Sequence, residues 1–438
     1  MAVDPNLYTH SSDQAALQAL KAIPGFTPLL KAFMNTWSER ICRIENMATN
    51  LRVSEKQLPH YYRMLPPICE KLGIEVPELY FAYDMIPDIY TYGDAKPFIV
   101  VTSGLIKNLP EHLIPTVLAR ECGHIACRHV LYSTMGRMIL NGGISLLGLG
   151  DLVSFPLKAA FHYWMRCSEF SADRAAAICD GSGQNVLELC AFFAGYHKRL
   201  QGELNIEAFL EQAAEYKALV DESALNKSLE FLMYNDENHP LNALRAYECN
   251  LWSQSENFSR LLAWSEGDTG CVPVSLSSKA FVGKTCIEVR SQLEAMGFQN
   301  TRLVRSTQPS RGVAVGQVLG VYSDGQPLEQ GSWLPMDAPL MILYYELPTG
   351  AELQAAHPGQ VQIPNAPIHY IGMPYAQALR ELEEAGFTCV TCQGQHSQLM
   401  QLLRKEGSVT QITVGGRSLF EKGQWLPPHT PIQIIYHI

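Results

Sequence analysis

Arg120, Glu121 and His124 stand in the run ARECGHI at 119–125. On a helix, residues four apart share one face, a turn apart. Histidines at both places, with glutamate after the first, would hold one zinc through two imidazoles. The carboxylate would take a proton from the metal-bound water. Here the first position is Arg120. A guanidinium stays protonated in a protein and has no lone pair for a metal. It also fixes a positive charge where a dication would sit.

Downstream, the run CSEFSADR at 167–174 sets Glu169 and Asp173 four apart on an expected helix. Catalytic zinc sites take three protein ligands plus water, and a carboxylate often orients a ligand histidine. Further on, Asn238, His239 and Pro240 precede Arg245. Considered singly, His124 reads as a core histidine and Arg120–Glu121 as a solvated helix face. The apolar Val117, Leu118 and Ile125 around them argue otherwise. His112, His129 and His162 read as incidental. Cys127 beside the motif is set aside as a ligand, and the single pair Cys389/Cys392 reads as packing.

Elements must position these groups. Residues 1 to about 265 read as mainly helical. Ala15–Ile23, Leu29–Leu51 and Gln57–Leu72 carry apolar residues at three- and four-residue spacing, with Pro66 and Pro67 expected to break the third late. Leu79–Tyr83 and Pro97–Thr102 are β-rich runs bounded by turn residues. Helices resume near Pro110 and run to about Trp264. Between Met138 and Leu157 the only charge is Asp151, but Asn141, four glycines and Pro156 weaken a membrane span. A buried helical hairpin is the expectation there.

After Gly267 an internal repeat appears. Gly283 and Gly372 each precede a helical pattern (Ile287, Val289, Leu293, Met296; then Ala378, Leu379, Leu382, Ala385). Gly297-Phe298 and Gly386-Phe387 close those helices. The units end alike, on GSWLP at 331–335 and GQWLP at 423–427, then on the strands Met341–Tyr345 and Ile432–Tyr436. The offset is 89 residues at the first glycines and 92 at the tryptophans. Four segments follow: 1–265, a first repeat at 279–347, a linker at 348–367 rich in proline and alanine, and a second repeat at 368–438.

Over roughly 60–255 the three ordered motifs resemble the zinc metallopeptidase family of HtpX and the CAAX prenyl proteases. They are R-E-x-x-H in place of H-E-x-x-H, E-x-x-x-D at 169–173, and H-P with an arginine six residues on at 239–245. The repeats resemble PASTA domains. The resemblance implies an α+β protein: a mainly helical zincin-like domain with a small sheet, then two small αβ units. It implies zinc held by His124 and Glu169, Glu121 as general base, and Asp173 supporting the ligand helix. His239 and Arg245 would face the cleft. The strand Pro97, Phe98, Ile99, Val100, Val101 and Thr102 would be the edge that pairs with an extended peptide. The implied activity is hydrolysis of peptides or unfolded protein, impaired by Arg120. The competing reading is a pseudoprotease or scaffold whose repeats bind protein or cell wall. Residual zinc chemistry through His124, Glu169 and His239, or a variant of a protein with histidine at 120, are the other readings.

Composition bounds the rest. The chain has 438 residues, enough for roughly three domains at about 150 each. It is 47% apolar, and its net charge is −10 with no lysine/arginine block. That argues against nucleic acid and against a polybasic membrane anchor. Twelve scattered cysteines and no basic-then-apolar leader suggest reduced thiols in the cytoplasm, with peripheral membrane association as the other location.

Overall fold

The computed structural model describes residues 1–195, 200, 202–223, 241–268, 270–396 and 405–438. They form two compact units, 1–304 with 317–344, and 305–316 with 345–438. Helix and strand are mixed, as expected.

In the first unit a four-stranded sheet is built from β1 (Leu51–Val53), β2 (Glu78–Ala82), β3 (Ile89–Tyr92) and β4 (Phe98–Thr102), in the order β1-β2-β4-β3. β2 and β4 are parallel, and β3 and β4 are antiparallel with Thr91 opposite Ile99. β4 is therefore central, and all five of its residues are buried. This corrects the expectation of an edge strand over 97–102. A continuous apolar run suits a strand with neighbours on both sides and packing on both faces. The edge on this side of the sheet is β3, which sequence reading passed over. Its alternation Ile-Tyr-Thr-Tyr before Gly93 was the available signal.

One helix expected over Leu29–Leu51 is two, Phe26–Thr36 and Glu39–Thr49, split at Trp37 and Ser38, both extended. Pro66 does not break a helix late. It lies in the first turn of Leu65–Leu72, where its missing N–H is no loss. The segment 138–157 is no buried hairpin: Leu146 is 90% exposed and Phe155 69%. Among the described residues no helix is long and apolar enough to cross a membrane.

The first repeat has its own core, with Val289, Leu293, Phe298, Val318, Val321, Leu340 and Ile342 all buried. Ile287 is 84% exposed, contrary to its place in the expected stripe. The helix Cys286–Ala295 starts on a capping box of Thr285 and Glu288. The Trp333 indole donates to Asn257 Oδ1 at 2.9 Å, and the ring packs on the core of the helical region. A strand Cys271–Pro273 pairs with Trp333–Pro335.

The second unit is arranged in the same way. Val361–Gln362 pairs with Trp425–Leu426, and Ala378, Leu382, Phe387, Val409, Ile412, Ile432 and Ile434 are buried together. Trp425 stacks on His357 at 4.8 Å. Residues 348–367 thus hold a helix, Gly350–Ala356, and a strand that belongs to the repeat.

Candidate active site

The motif helix runs Ile114–Ala126, with Pro115 in its first turn, and Thr116 through His124 are all buried. The long helix Phe155–Asp180 packs along it. The approach is close because position 123 is glycine. A Cβ there would lie 2.6 Å from the Cβ of Ala175 and 3.3 Å from the Cα of Ala172. That contact brings residues 120 and 124 against Glu169 and Asp173.

Arg120 is buried, and its guanidinium donates through Nη2 to Glu169 Oε2. Its Nε lies 3.5 Å from Asp173 Oδ1, and its Nη1 lies 3.8 Å from Glu121 Oε1. Burial, and then the charge of Arg245, pull its pKa down. Arg245, on the helix Asn242–Ser253, forks onto Asp173 with Nε–Oδ2 2.8 Å and Nη2–Oδ1 2.6 Å. Such paired bonds are strong and directional. Although burial opposes it, Asp173 holds the Arg245 pKa above its ordinary value.

Glu121 accepts from Thr91 Oγ1 of β3 at 2.7 Å. Burial raises its pKa, against the pull of Arg120, Arg137 and Thr91. His124 places Nε2 3.5 Å from Glu169 Oε1. Burial, then the charges of His129 and Arg120, hold its pKa well below the usual histidine range.

His129 is not incidental. Arg128 takes a left-handed conformation (φ 59°), and the His129 amide closes back onto the His124 carbonyl at 2.9 Å. The turn sets His129 Nδ1 3.0 Å from His124 Nδ1 and His129 Nε2 2.9 Å from Asp13 Oδ2. Asp13 also accepts from Trp164 Nε1 and Ser171 Oγ. Sequence reading missed this chain, because nothing local links position 13 to 129. His112 pairs with Glu188 at 3.0 Å. His239 lies outside the described residues.

The structure thus brings together Arg120, Glu121, His124, Glu169, Asp173 and Arg245. The profile of Peptidase family M48 matches residues 63–248. "Plastoglobule-localized metallopeptidase 48, chloroplastic" of Arabidopsis thaliana is 32% identical over 262 residues, covering 59% of this chain and 76% of the relative. The chain belongs to Peptidase family M48. "Protease HtpX homolog 2" of Methanosarcina mazei is 27% identical over 34% of this chain, which spans 60% of that relative. The three-PASTA-domain structure of a Ser/Thr kinase from Staphylococcus aureus is 14% identical, covers 37% of this chain and 67% of that chain, and has a TM-score of 0.16. That likeness carries no argument.

M48 members are metallopeptidases, so the fit of a zinc can be tested on these residues. Zinc–ligand distances near 2.0–2.2 Å put two tetrahedral donors about 3.3 Å apart. His124 Nε2 and Glu169 Oε1, at 3.5 Å, have that spacing. The third corner does not fit. The residue at the first ligand position is Arg120, whose guanidinium offers no lone pair and is bonded to the other oxygen of Glu169. Among the described residues no group of three donors could hold a metal ion. The described residues do not make a catalytic zinc site.

Proposed function

We propose that this M48 protein binds peptides in its cleft and that Arg120 impairs their hydrolysis. The observation that carries the reading is the ion pair of Arg120 with Glu169, flanked by Asp173 and Glu121. A resident cation neutralises carboxylates that a metal would otherwise engage, and it repels a dication. At an effective dielectric near 20, two charges a few Å apart interact by several kcal/mol. Glu121, with its pKa raised by burial, is left as a base with only Thr91 and neighbouring cations to direct it. The open edge of β3 then serves extended peptide as an added strand. The repeats act as modules for a protein or cell-wall ligand. The Arabidopsis relative's name places that protein at plastoglobules. The exposed Ile41, Ile44 and Met47 support a peripheral lipid-surface location for this chain as well.

Metal analysis of the purified protein, with a casein-cleavage assay, tests this. We expect no stoichiometric zinc and no cleavage, with zinc and cleavage gained in Arg120→His. One tightly held zinc per chain, lost in Glu169→Ala, would overturn the arginine substitution. It would favour the second reading, zinc chemistry through His124, Glu169 and His239, which the ligand-like 3.5 Å spacing supports.

A further inference from the structure

A cation at the rim of β3 is used by none of the groups above. The helix Val130–Leu140 follows the turn after His124 and packs on β3. Its Arg137 sets the guanidinium carbon 5.6 Å from the ring centre of Tyr90 and 5.6 Å from that of Tyr92. The two rings are 5.4 Å apart and nearly perpendicular, at 87°. They form a two-walled seat that holds the cation by its faces and leaves its N–H donors unspent. Arg120 and Arg245 are committed to carboxylates. Arg137 has no ion pair or hydrogen bond to its guanidinium among the described residues.

The two tyrosines fix its location. Tyr90 and Tyr92 alternate with Thr91, so their side chains leave the opposite face of the strand. Thr91 touches Glu121. The charge of Arg137 nevertheless bears on Glu121 and on His124. A cation held by these two rings, on a helix packed on β3, stands at the rim of the sheet beside its edge strand. No strand pairs with that rim among the described residues.

We infer that Arg137 is the recognition residue for a carboxylate on a peptide laid along β3. The inference rests on the peptide-binding reading above. A guanidinium fork offers two parallel N–H donors to a carboxylate, which neither a neutral amide nor a lysine can reproduce. The carboxylate is either the peptide's free C-terminus or an acidic side chain, and the two are separable by experiment.

Fluorescence anisotropy with N-terminally labelled decapeptides of alanine, serine and valine provides the test. One is a free acid, one a C-terminal amide, and a third set are amides with a single glutamate at each position in turn. We expect the free acid, or one register of the glutamate amides, to bind at least about tenfold tighter than the neutral amide. Preference for the free acid identifies the C-terminus as the source, and preference for one glutamate register identifies the side chain. Arg137→Gln should erase the preference while leaving the neutral amide's affinity in place. Arg137→Lys, which keeps a charge on the same seat, should lose most of it and serves if the glutamine variant does not fold. Equal affinities in the unmodified protein, or a preference that survives in either variant, would overturn the inference and leave peptide binding standing. No binding of any peptide would overturn the peptide-binding reading itself, and this inference with it.

Discussion

The Nδ1 atoms of His124 and His129 face each other at 3.0 Å, so one of them must carry the hydrogen. The far side of His129 bears on which. Burial works against the Asp13 carboxylate, but His129, Ser171 and Trp164 outweigh it and hold its pKa below the ordinary value. It therefore accepts from His129 Nε2. The carboxylate thereby holds the Nε2 hydrogen of His129 and, through the 3.0 Å contact, bears on where the hydrogen between the two Nδ1 atoms sits. Asp13→Asn leaves one acceptor oxygen where three buried donors share two, and removes the charge. We expect a loss of about 1–3 kcal/mol in urea unfolding. The His124 ring nitrogen resonances, which report the position of the hydrogen, should move as well. Unmoved resonances would show that Asp13 does not set the tautomer.

Asp173 lies between two guanidiniums, forked by Arg245 and 3.5 Å from Arg120. Breaking a buried pair by removing one partner typically costs about 3–5 kcal/mol, because the other charge is stranded. Asp173→Asn should cost about that much in chemical denaturation. Adding Arg120→Leu removes one of the like charges. The double variant should then be less destabilised than the sum of the two single changes. Simple additivity would mean that Arg120 and Asp173 do not interact.

Gly123 sets the separation of the two helices that carry the site. An alanine there would need a carbon 2.6 Å from the Cβ of Ala175, on a helix whose backbone comes within 3.3 Å at Ala172. Overpacking of this kind costs about 1–3 kcal/mol. We expect Gly123→Ala to lower the thermal midpoint. Gly142→Ala meets no such contact but takes up a left-handed φ of 74°. It separates packing from backbone strain.

The site was legible in sequence where its members are helical neighbours. Arg120 and His124, or Glu169 and Asp173, are four apart, and a helix places such pairs on one face. The same holds for the repeats, because glycine, tryptophan and proline mark turns at fixed offsets. What sequence could not supply came from register and from distant contacts. The resemblance puts the edge at Pro97–Thr102, and composition gives no neighbour count to correct it, because strand order follows from connections elsewhere. Asp13 and His129 meet only through the left-handed turn at Arg128. That conformation disfavours a non-glycine residue by about 1–2 kcal/mol, so nothing at 128 announces it. Sequence marks Trp333 as a repeat residue, yet its bond to Asn257 depends on how the first repeat packs on the helical region.

Glu248 gives the protein a defined acid sensitivity. The imidazole of His10 at 3.6 Å is the main cause; burial opposes it, and the Lys217 ammonium at 2.8 Å adds to it. Together they lower the carboxyl from its ordinary 4.5 to about 2. A carboxyl depressed in the folded state binds fewer protons there than in the unfolded chain, so stability rises with pH between the two values. The contribution is complete above about pH 4.5 and is lost as pH falls toward 2. Urea midpoints measured across that window should fall with acid more steeply in the unmodified protein than in Glu248→Gln, which cannot titrate. Above pH 5 the variant should be the less stable of the two, and toward pH 2 the difference should close. Parallel curves over the whole window would show that this carboxyl titrates alike in the folded and unfolded states.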